Sequence, residues 1–363
     1  MKILHTEACD GWGGQELRII NESLGMIARG HELHIICPDS SDIQRAAEEK
    51  GIPVTTLPIE KKTFKGLFAL RKWLKSNPVD VANTHSSTDS WLTALACLGL
   101  KNKPKIVRSR HISTPVKANA FTRWLYCSAA SHIVTTGEAV KKMLVEENGF
   151  PSEQITSVPT GGDHHHFVSG DKRGRRVALN LPPDQIIVGI VAIMRGWKGH
   201  SVLFQAVAKL NNPNLTILIV GEGPIQQQLE IEAESLGIKN QVIFAGYHAD
   251  VVPWLQAMDI FALPSTGHEG VPQGVVQAMM CELAAISTDV GGTTEAVIHE
   301  QTGLIVKKGD VDDLSESLQR LILDEKLRLR LGKQAREHVK STLSSEIMIQ
   351  KMEQIFQRVL SKE

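Results

Sequence analysis

Glu269 and Gln277 stand eight residues apart in HEGVPQGVVQ, His268 to Gln277, a stretch that follows a short apolar run and leads into a helix. A carboxylate at Glu269 can accept hydrogen bonds from sugar hydroxyls, and the Gln277 amide can both donate and accept about one turn inside the helix. Between them Gly270, Val271, Pro272, Gln273 and Gly274 form a turn suited to an anion. Pro272 fits the first helical turn, the glycines let a ligand come close, and the helix dipole favours negative charge there. The alternative for the same residues is a capped surface helix.

Upstream, MRGWKGH supplies two cations three residues apart, Arg195 and Lys198, directly after a buried-type strand. Their spacing suits a diphosphate held by charge-assisted hydrogen bonds; a charged surface turn has the same composition. GEGP, with Gly221 and Gly223, opens a helix after another strand. Gln226 stands where a dinucleotide fingerprint needs its third glycine, which argues against NAD. DVGGTTE repeats the strand, glycine turn and helix and puts Glu295 in a first helical turn, where a carboxylate also caps without any functional role. Near the start GWGGQE does the same, and Gly13, Gly14 and Gln15 read as a loop for an acceptor or a phosphate. Two motifs are decoys. Asp310-Val311-Asp312 imitates a metal-binding DxD but precedes a helical run and reads as a cap. His164, His165 and His166 lack the spacing of a zinc site and an obvious carboxylate partner, so they read as solvated.

Such loops need strands behind them. In the first half strands are expected at KILHT (from Lys2), HELHIIC (from His31), VDVANTH (from Val79), KIVRSRH (from Lys105) and HIVTTG (from His132). In the second half they are expected at IIVGIVAI (from Ile186), LTILIVG (from Leu215), QVIFAG (from Gln241), IFALPS (from Ile260), AAISTDVGG (from Ala284) and GLIV (from Gly303). Helical segments alternate with them, the pattern of parallel α/β sheets, which bind ligands outside the carboxyl ends of their strands. A chain of 363 residues suits two domains. The polar stretch from Val158 to Val177 is taken as the linker, giving domains at 1–168 and 169–343. The helical segment 344–363 either ends the second domain or packs back on the first.

Lysine plus arginine balance aspartate plus glutamate at 40 each, but unevenly along the chain. From Lys61 to Lys142 there are fifteen Lys/Arg against Asp80, Asp89 and Glu138. Either these are solvated helix faces, or region 61–142 is a basic surface for an anionic membrane or acceptor. Nucleic acid is not expected, because no aromatic residues alternate with the cluster as a stacking platform would. Five scattered cysteines without CxxC pairing argue against a disulfide framework and fit a reducing cytoplasm. The N-terminus reads as a first strand rather than a signal peptide, and no window approaches the ~18 apolar residues of a spanning helix. The expectation is a cytoplasmic protein, at most peripheral on the inner face of the membrane.

Taken in order, GGQE, RGWKGH, VGEGP, LPS-x-x-x-EG (Leu263 to Gly270) with its helix, DVGGTTE and TGLIV (Thr302 to Val306) resemble family-4 retaining glycosyltransferases with the GT-B fold. WGGQE with EGVPQ resembles a subgroup associated with bacterial lipopolysaccharide-core and cell-surface saccharides. The resemblance implies two doubly wound Rossmann-like domains facing a central cleft, and transfer of a sugar from a nucleotide-diphosphate sugar to a saccharide or glycolipid acceptor. It implies no cofactor and no metal. Residue by residue, it implies that Arg195 and Lys198 hold the diphosphate and Glu269 contacts the donor sugar. Gln277 replaces the second glutamate of the family's E-x7-E motif, which binds the ribose. His111 would face the donor sugar, and His85 would line the acceptor side. The rivals are an epimerase or phosphorylase on the same fold, a non-catalytic sugar-nucleotide binding module and an NAD dehydrogenase.

Overall fold

The structure, a computed structural model, describes residues 1–111, 116–117, 119–267 and 269–361; His268 lies outside the described residues. The chain forms two compact units, Met1–Gly161 with Ser345–Glu363, and Gly162–Ser344.

The first unit contains strands β1 (Lys2–Thr6), β2 (Glu32–Cys37), β3 (Val54–Thr56), β4 (Val81–Thr84), β5 (Lys105–Arg110), β6 (His132–Thr135) and β7 (Ile155–Ser157). They pair in parallel in the order β3-β2-β1-β4-β5-β6-β7. The short strands β3 and β7 lie at the two edges. Three residues carry too little alternation to stand out from a loop in sequence.

The second unit contains β8 (Ile186–Val191), β9 (Leu215–Val220), β10 (Val242–Gly246), β11 (Ile260–Leu263), β12 (Ala284–Thr288) and β13 (Gly303–Val306), in the order β10-β9-β8-β11-β12-β13. All are parallel. Runs such as LTILIV are apolar and wholly buried because helices cover both faces of the sheet. In each unit the order reverses beside the first strand, between β1 and β4 and between β8 and β11. At such a switch point the flanking loops diverge and leave a crevice.

Segment 162–168 belongs to the second unit rather than the first. Arg336 donates to the carbonyls of Phe167 (2.8 Å) and His164 (3.1 Å), and Phe167 packs on the second core. The expected linker also holds a helix, Lys172–Ala178, anchored by Asp259. That carboxylate accepts from Lys172 Nζ (2.7 Å), Arg176 Nη2 (2.5 Å) and the Ile187 amide (2.8 Å). Burial alone would raise its pKa, but Lys172, the Ile187 amide and Arg176 together hold it below the usual carboxylate value.

Helix Ser345–Ser361 packs in the first unit. Met348, Ile349, Met352, Ile355, Phe356 and Val359 lie in a core cluster with Ile3, Ile19, Ile35 and Val107. Its Glu353 reaches Arg29 (2.8 Å) and His31 (2.7 Å). Among the described residues no helix is long and apolar enough to cross a membrane.

Candidate functional site

In the second unit the loops after β8 and β11 meet at the switch point. The Thr266 amide donates to the Trp197 carbonyl at 2.7 Å. Gly199 has φ +79°, and a Cβ there would stand 2.0 Å from the Pro264 carbonyl oxygen, so the two backbones touch only because position 199 is glycine. This contact brings Lys198 to Glu269, with Nζ 2.8 and 2.9 Å from the two carboxylate oxygens. Ser265 Oγ donates to Glu269 Oε1 at 2.7 Å, and Thr288 Oγ1 at the end of β12 donates to the Ser265 carbonyl at 2.6 Å. Glu269 is 4% exposed and thus held in one orientation, whereas Arg195 is exposed, its guanidinium 5.2 Å from the Trp197 ring centroid.

The other turns close around this pair. After β12, Gly291 has φ +62°, its missing Cβ would lie 2.0 Å from the Glu269 carbonyl oxygen, and the Gly292 amide donates to the Gly270 carbonyl at 3.2 Å. The DVGG glycines therefore seat the Glu269 loop. Glu295 is half-buried in the short helix Thr293–Ala296. After β9, Gly221 donates to the Gly246 carbonyl, and Gly223 lies against the Met194 backbone, so GEGP packs directly on the Arg195 loop. Gly270, Val271, Pro272, Gln273 and Gly274 lead into helix Gln273–Met280. Gln277 is half-buried one turn further on. Within this unit, then, the structure gathers Arg195, Lys198, Gly221, Gly223, Glu269, the 270–274 turn, Gln277 and Glu295 at the carboxyl edge of one sheet. Ser265 stands in the LPS-x-x-x-EG run but received no role from the sequence, and Thr288 was missed; a threonine at a strand end carries no signal until the register is known.

In the first unit, Gly13 and Gly14 open helix Gly14–Ala28 after β1, and Gln15 donates to the carboxyl of Glu7. Glu7 is fully buried, and burial together with the charge of Asp89 pushes its pKa up to about 8. His85 follows β4 and is 3% exposed, so its ring offers little surface to an acceptor. It lies between two other histidines, with Nε2 2.7 Å from His5 Nδ1 and Nδ1 3.0 Å from His111 Nε2. His111, after β5, is half-buried.

Asp310 caps helix Val311–Leu323, accepting from the amides of Asp312 (3.1 Å) and Asp313 (3.0 Å), as expected of the DVD motif. In the histidine run, the expectation of no carboxylate partner fails for His166, whose Nε2 is 3.1 Å from Asp250. The amides of His165 and His166 cap onto Asp163.

Two parallel doubly wound sheets, with polar loops gathered at their carboxyl ends, define a tandem Rossmann-like protein of the GT-B class. Residues 12–166 match the family described as Glycosyltransferase Family 4 and residues 171–338 the one described as Glycosyl transferases group 1, and the chain belongs to these glycosyltransferases. It is 24% identical over 361 residues to the UDP-Gal:alpha-D-GlcNAc-diphosphoundecaprenol alpha-1,3-galactosyltransferase of Escherichia coli, covering 93% of this chain and 92% of that one. To the lipopolysaccharide core biosynthesis glycosyltransferase LpsE of Rhizobium meliloti it is 28% identical over 171 residues, 47% of this chain and 49% of that one. In fold it is similar to Anabaena Alr3699/HepE in complex with UDP-glucose, with a TM-score of 0.86 at 19% identity over 99% of this chain and all of that one.

Proposed function

We propose that this glycosyltransferase moves a sugar, with retention of anomeric configuration and without a metal, from a nucleotide-diphosphate sugar to a saccharide or lipid-linked acceptor of the cell envelope. The observation that carries the reading is the Lys198–Glu269 pair at the switch point of the second sheet. An ammonium has three donors; two engage Glu269, and the third remains for a phosphate oxygen. Arg195 adds a second cation on the same loop, and the 270–274 amides a third source of positive potential. Breaking the sugar–phosphate bond leaves negative charge on the diphosphate, which these groups stabilise where it develops. Glu269, oriented by Ser265, is left to hold sugar hydroxyls. The galactosyltransferase relative supports a lipid-linked acceptor, and the UDP-glucose complex of a protein with this fold supports the donor class.

The deciding experiment screens UDP-, GDP- and ADP-sugars with EDTA present against oligosaccharide and polyprenyl-diphosphate acceptors, with NMR of the product's anomeric centre. An inverted product overturns retention, and activity only on adding a divalent cation overturns metal independence. Free epimerised sugar or sugar phosphate in place of a glycoside overturns transfer.

The acceptor side also bears on location. Phe64 (79% exposed) and Phe68 (65%) project from helix Phe64–Ser76, which carries Lys65, Lys72 and Lys75 and follows Lys61 and Lys62. Solvent-exposed phenylalanines among lysines fit an anionic bilayer surface, each cation there contributing ~1 kcal/mol. Phe64→Ser with Phe68→Ser should reduce sedimentation with anionic vesicles, and added salt should reduce it further. Equal sedimentation with neutral and anionic vesicles would remove the membrane from the reading.

A further inference from the structure

The three histidines of the first unit form a staircase. His5 pairs with Asn83 across β1 and β4, and Asn83 with Val107 across β4 and β5. His85 stands two residues beyond Asn83, and His111 stands four beyond Val107. Each ring is therefore two residues nearer the carboxyl edge than the one before it, and steps of two keep all three on one face of the sheet. The rings stack, with centroids 5.0 and 5.2 Å apart. Burial falls along the series, from His5 at 0% exposure through His85 at 3% to the half-buried His111. At the inner end His5 Nε2 faces Glu22 Oε1 at 3.7 Å, and both residues are fully buried. Glu22 accepts from Asn83 Nδ2 (3.2 Å) and lies 3.6 Å from Arg18 Nε. His5 Nε2 and Glu22 Oε2 each lack a hydrogen-bond partner, so this end of the chain is polarised but not closed.

Burial keeps the rings neutral. It is the largest cause lowering His5 to about 3, and it holds His85 and His111 well below the ordinary imidazole value, with neighbouring cations adding to it. A neutral imidazole has one N–H and one lone pair. Two ring-to-ring hydrogen bonds in series then leave two arrangements, with every proton pointing outward toward His111 or every proton pointing inward toward Glu22. Inward, His111 carries its proton on Nε2 and offers a lone pair at Nδ1; outward, it offers an N–H at Nδ1.

We propose that His5 and His85 are positioning residues which, polarised by the buried Glu22 carboxylate, hold His111 as its Nε2-protonated tautomer, so that Nδ1 accepts a hydrogen bond from a substrate hydroxyl. The use of that lone pair rests on the sugar-transfer reading above; the tautomer does not. The groups facing Glu22 are Arg18 on its own helix, His5 on β1 and Asn83 on β4. Arg18 is itself fixed by donating to the Val158 carbonyl at 2.6 Å. Burial raises Glu22 to about 7, with Arg18 opposing, so the carboxylate is fully formed only above neutrality.

The test reads the free protein, labelled with 15N-histidine, at about pH 8.5, where Glu22 is ionised. Two-bond 1H–15N spectra report which ring nitrogen bears the proton, and His111→Gln identifies the His111 signals by their loss. The expected pattern is a protonated Nε2 and a bare Nδ1. Glu22→Gln keeps the shape and removes the charge, and should move the His111 proton toward Nδ1. His5→Gln, which interrupts the chain between Glu22 and His85, should do the same if the first variant does not fold. A wild-type His111 protonated on Nδ1, or an unchanged pattern in both variants, would overturn the proposal. Because no sugar is present, failure of the transferase reading leaves this readout intact, and failure here leaves transfer measurable.

Discussion

At the scale of the residue, the second unit turns on a buried carboxylate that is acceptable only because it is paired. Glu269 is 4% exposed, and Lys198 and Ser265 supply it with three short hydrogen bonds. Removing one partner of such a pair leaves the other charge stranded, which costs roughly 3–5 kcal/mol, whereas removing both is much milder. Lys198→Ala should therefore lower the melting temperature and weaken donor binding at least about tenfold, since a charge-assisted hydrogen bond contributes ~1.5–3 kcal/mol. Lys198→Ala with Glu269→Gln should restore most of the stability and none of the affinity. Calorimetric titration with nucleotide-sugar and thermal melts of the three proteins separate the two effects. Recovery of affinity in the double variant would show that Lys198 serves only to neutralise Glu269. Lys198 and Glu269 were both legible in the sequence, because each sits in a glycine-flanked turn after an apolar run. Their direct contact was not, since it depends on a backbone approach between residues 199 and 264 that no spacing rule encodes. His5 was less visible still. A single histidine in a first strand looks like any other, and its role appears only when the register sets it beside His85.

At the scale of the element, the sequence-derived expectations placed all the longer strands, while β3 and β7 escaped them for lack of length. The glycine turns were legible as turns but not in their purpose. DVGG reads only as a glycine turn between a strand and a helix, yet its tightest contact is with the Glu269 backbone. Gly291→Ala must place a Cβ 2.0 Å from the Glu269 carbonyl oxygen at φ +62°. Strain in that region costs about 1–3 kcal/mol, and relief requires the Glu269 loop to move. Both the melting temperature and donor affinity should fall. Gly292→Ala, at φ −91°, should be milder in both. Equal effects from the two would remove the seating role from Gly291. A second element-scale prediction concerns helix Lys172–Ala178, held to the start of β8 through Asp259. Because the folded pKa of Asp259 is depressed, its contribution is present above the unfolded value near 4 and is lost as pH falls through the lower folded value. The stability difference between wild type and Asp259→Asn should stay constant above about pH 5 and shrink toward pH 3. A difference independent of pH across that range would assign the role of Asp259 to shape rather than charge.

At the scale of the whole molecule, the sequence left open where the last helix goes, because an amphipathic stripe states that it will be covered and not by what. The stripe Met348, Ile349, Met352, Ile355, Phe356 and Val359 completes the core of the first unit, so the end of the chain and its beginning form one cooperative body. Gly25 records the match, since a Cβ there would stand 2.1 Å from Ile349 Cδ1. Phe356 is fully buried in that cluster, and truncating such a side chain costs about 3–5 kcal/mol. In Phe356→Ala, hydrogen exchange should therefore accelerate throughout β1, β2 and β5, whose residues share the cluster, although β1 lies at the opposite end of the chain from the substitution. Strands β8 and β9 belong to the other core and should keep their protection. Mass spectrometry of peptides from the two sheets reads this directly. Acceleration confined to the last helix would mean that it merely lies on the first unit, and equal acceleration in both sheets would mean that the two units unfold as one.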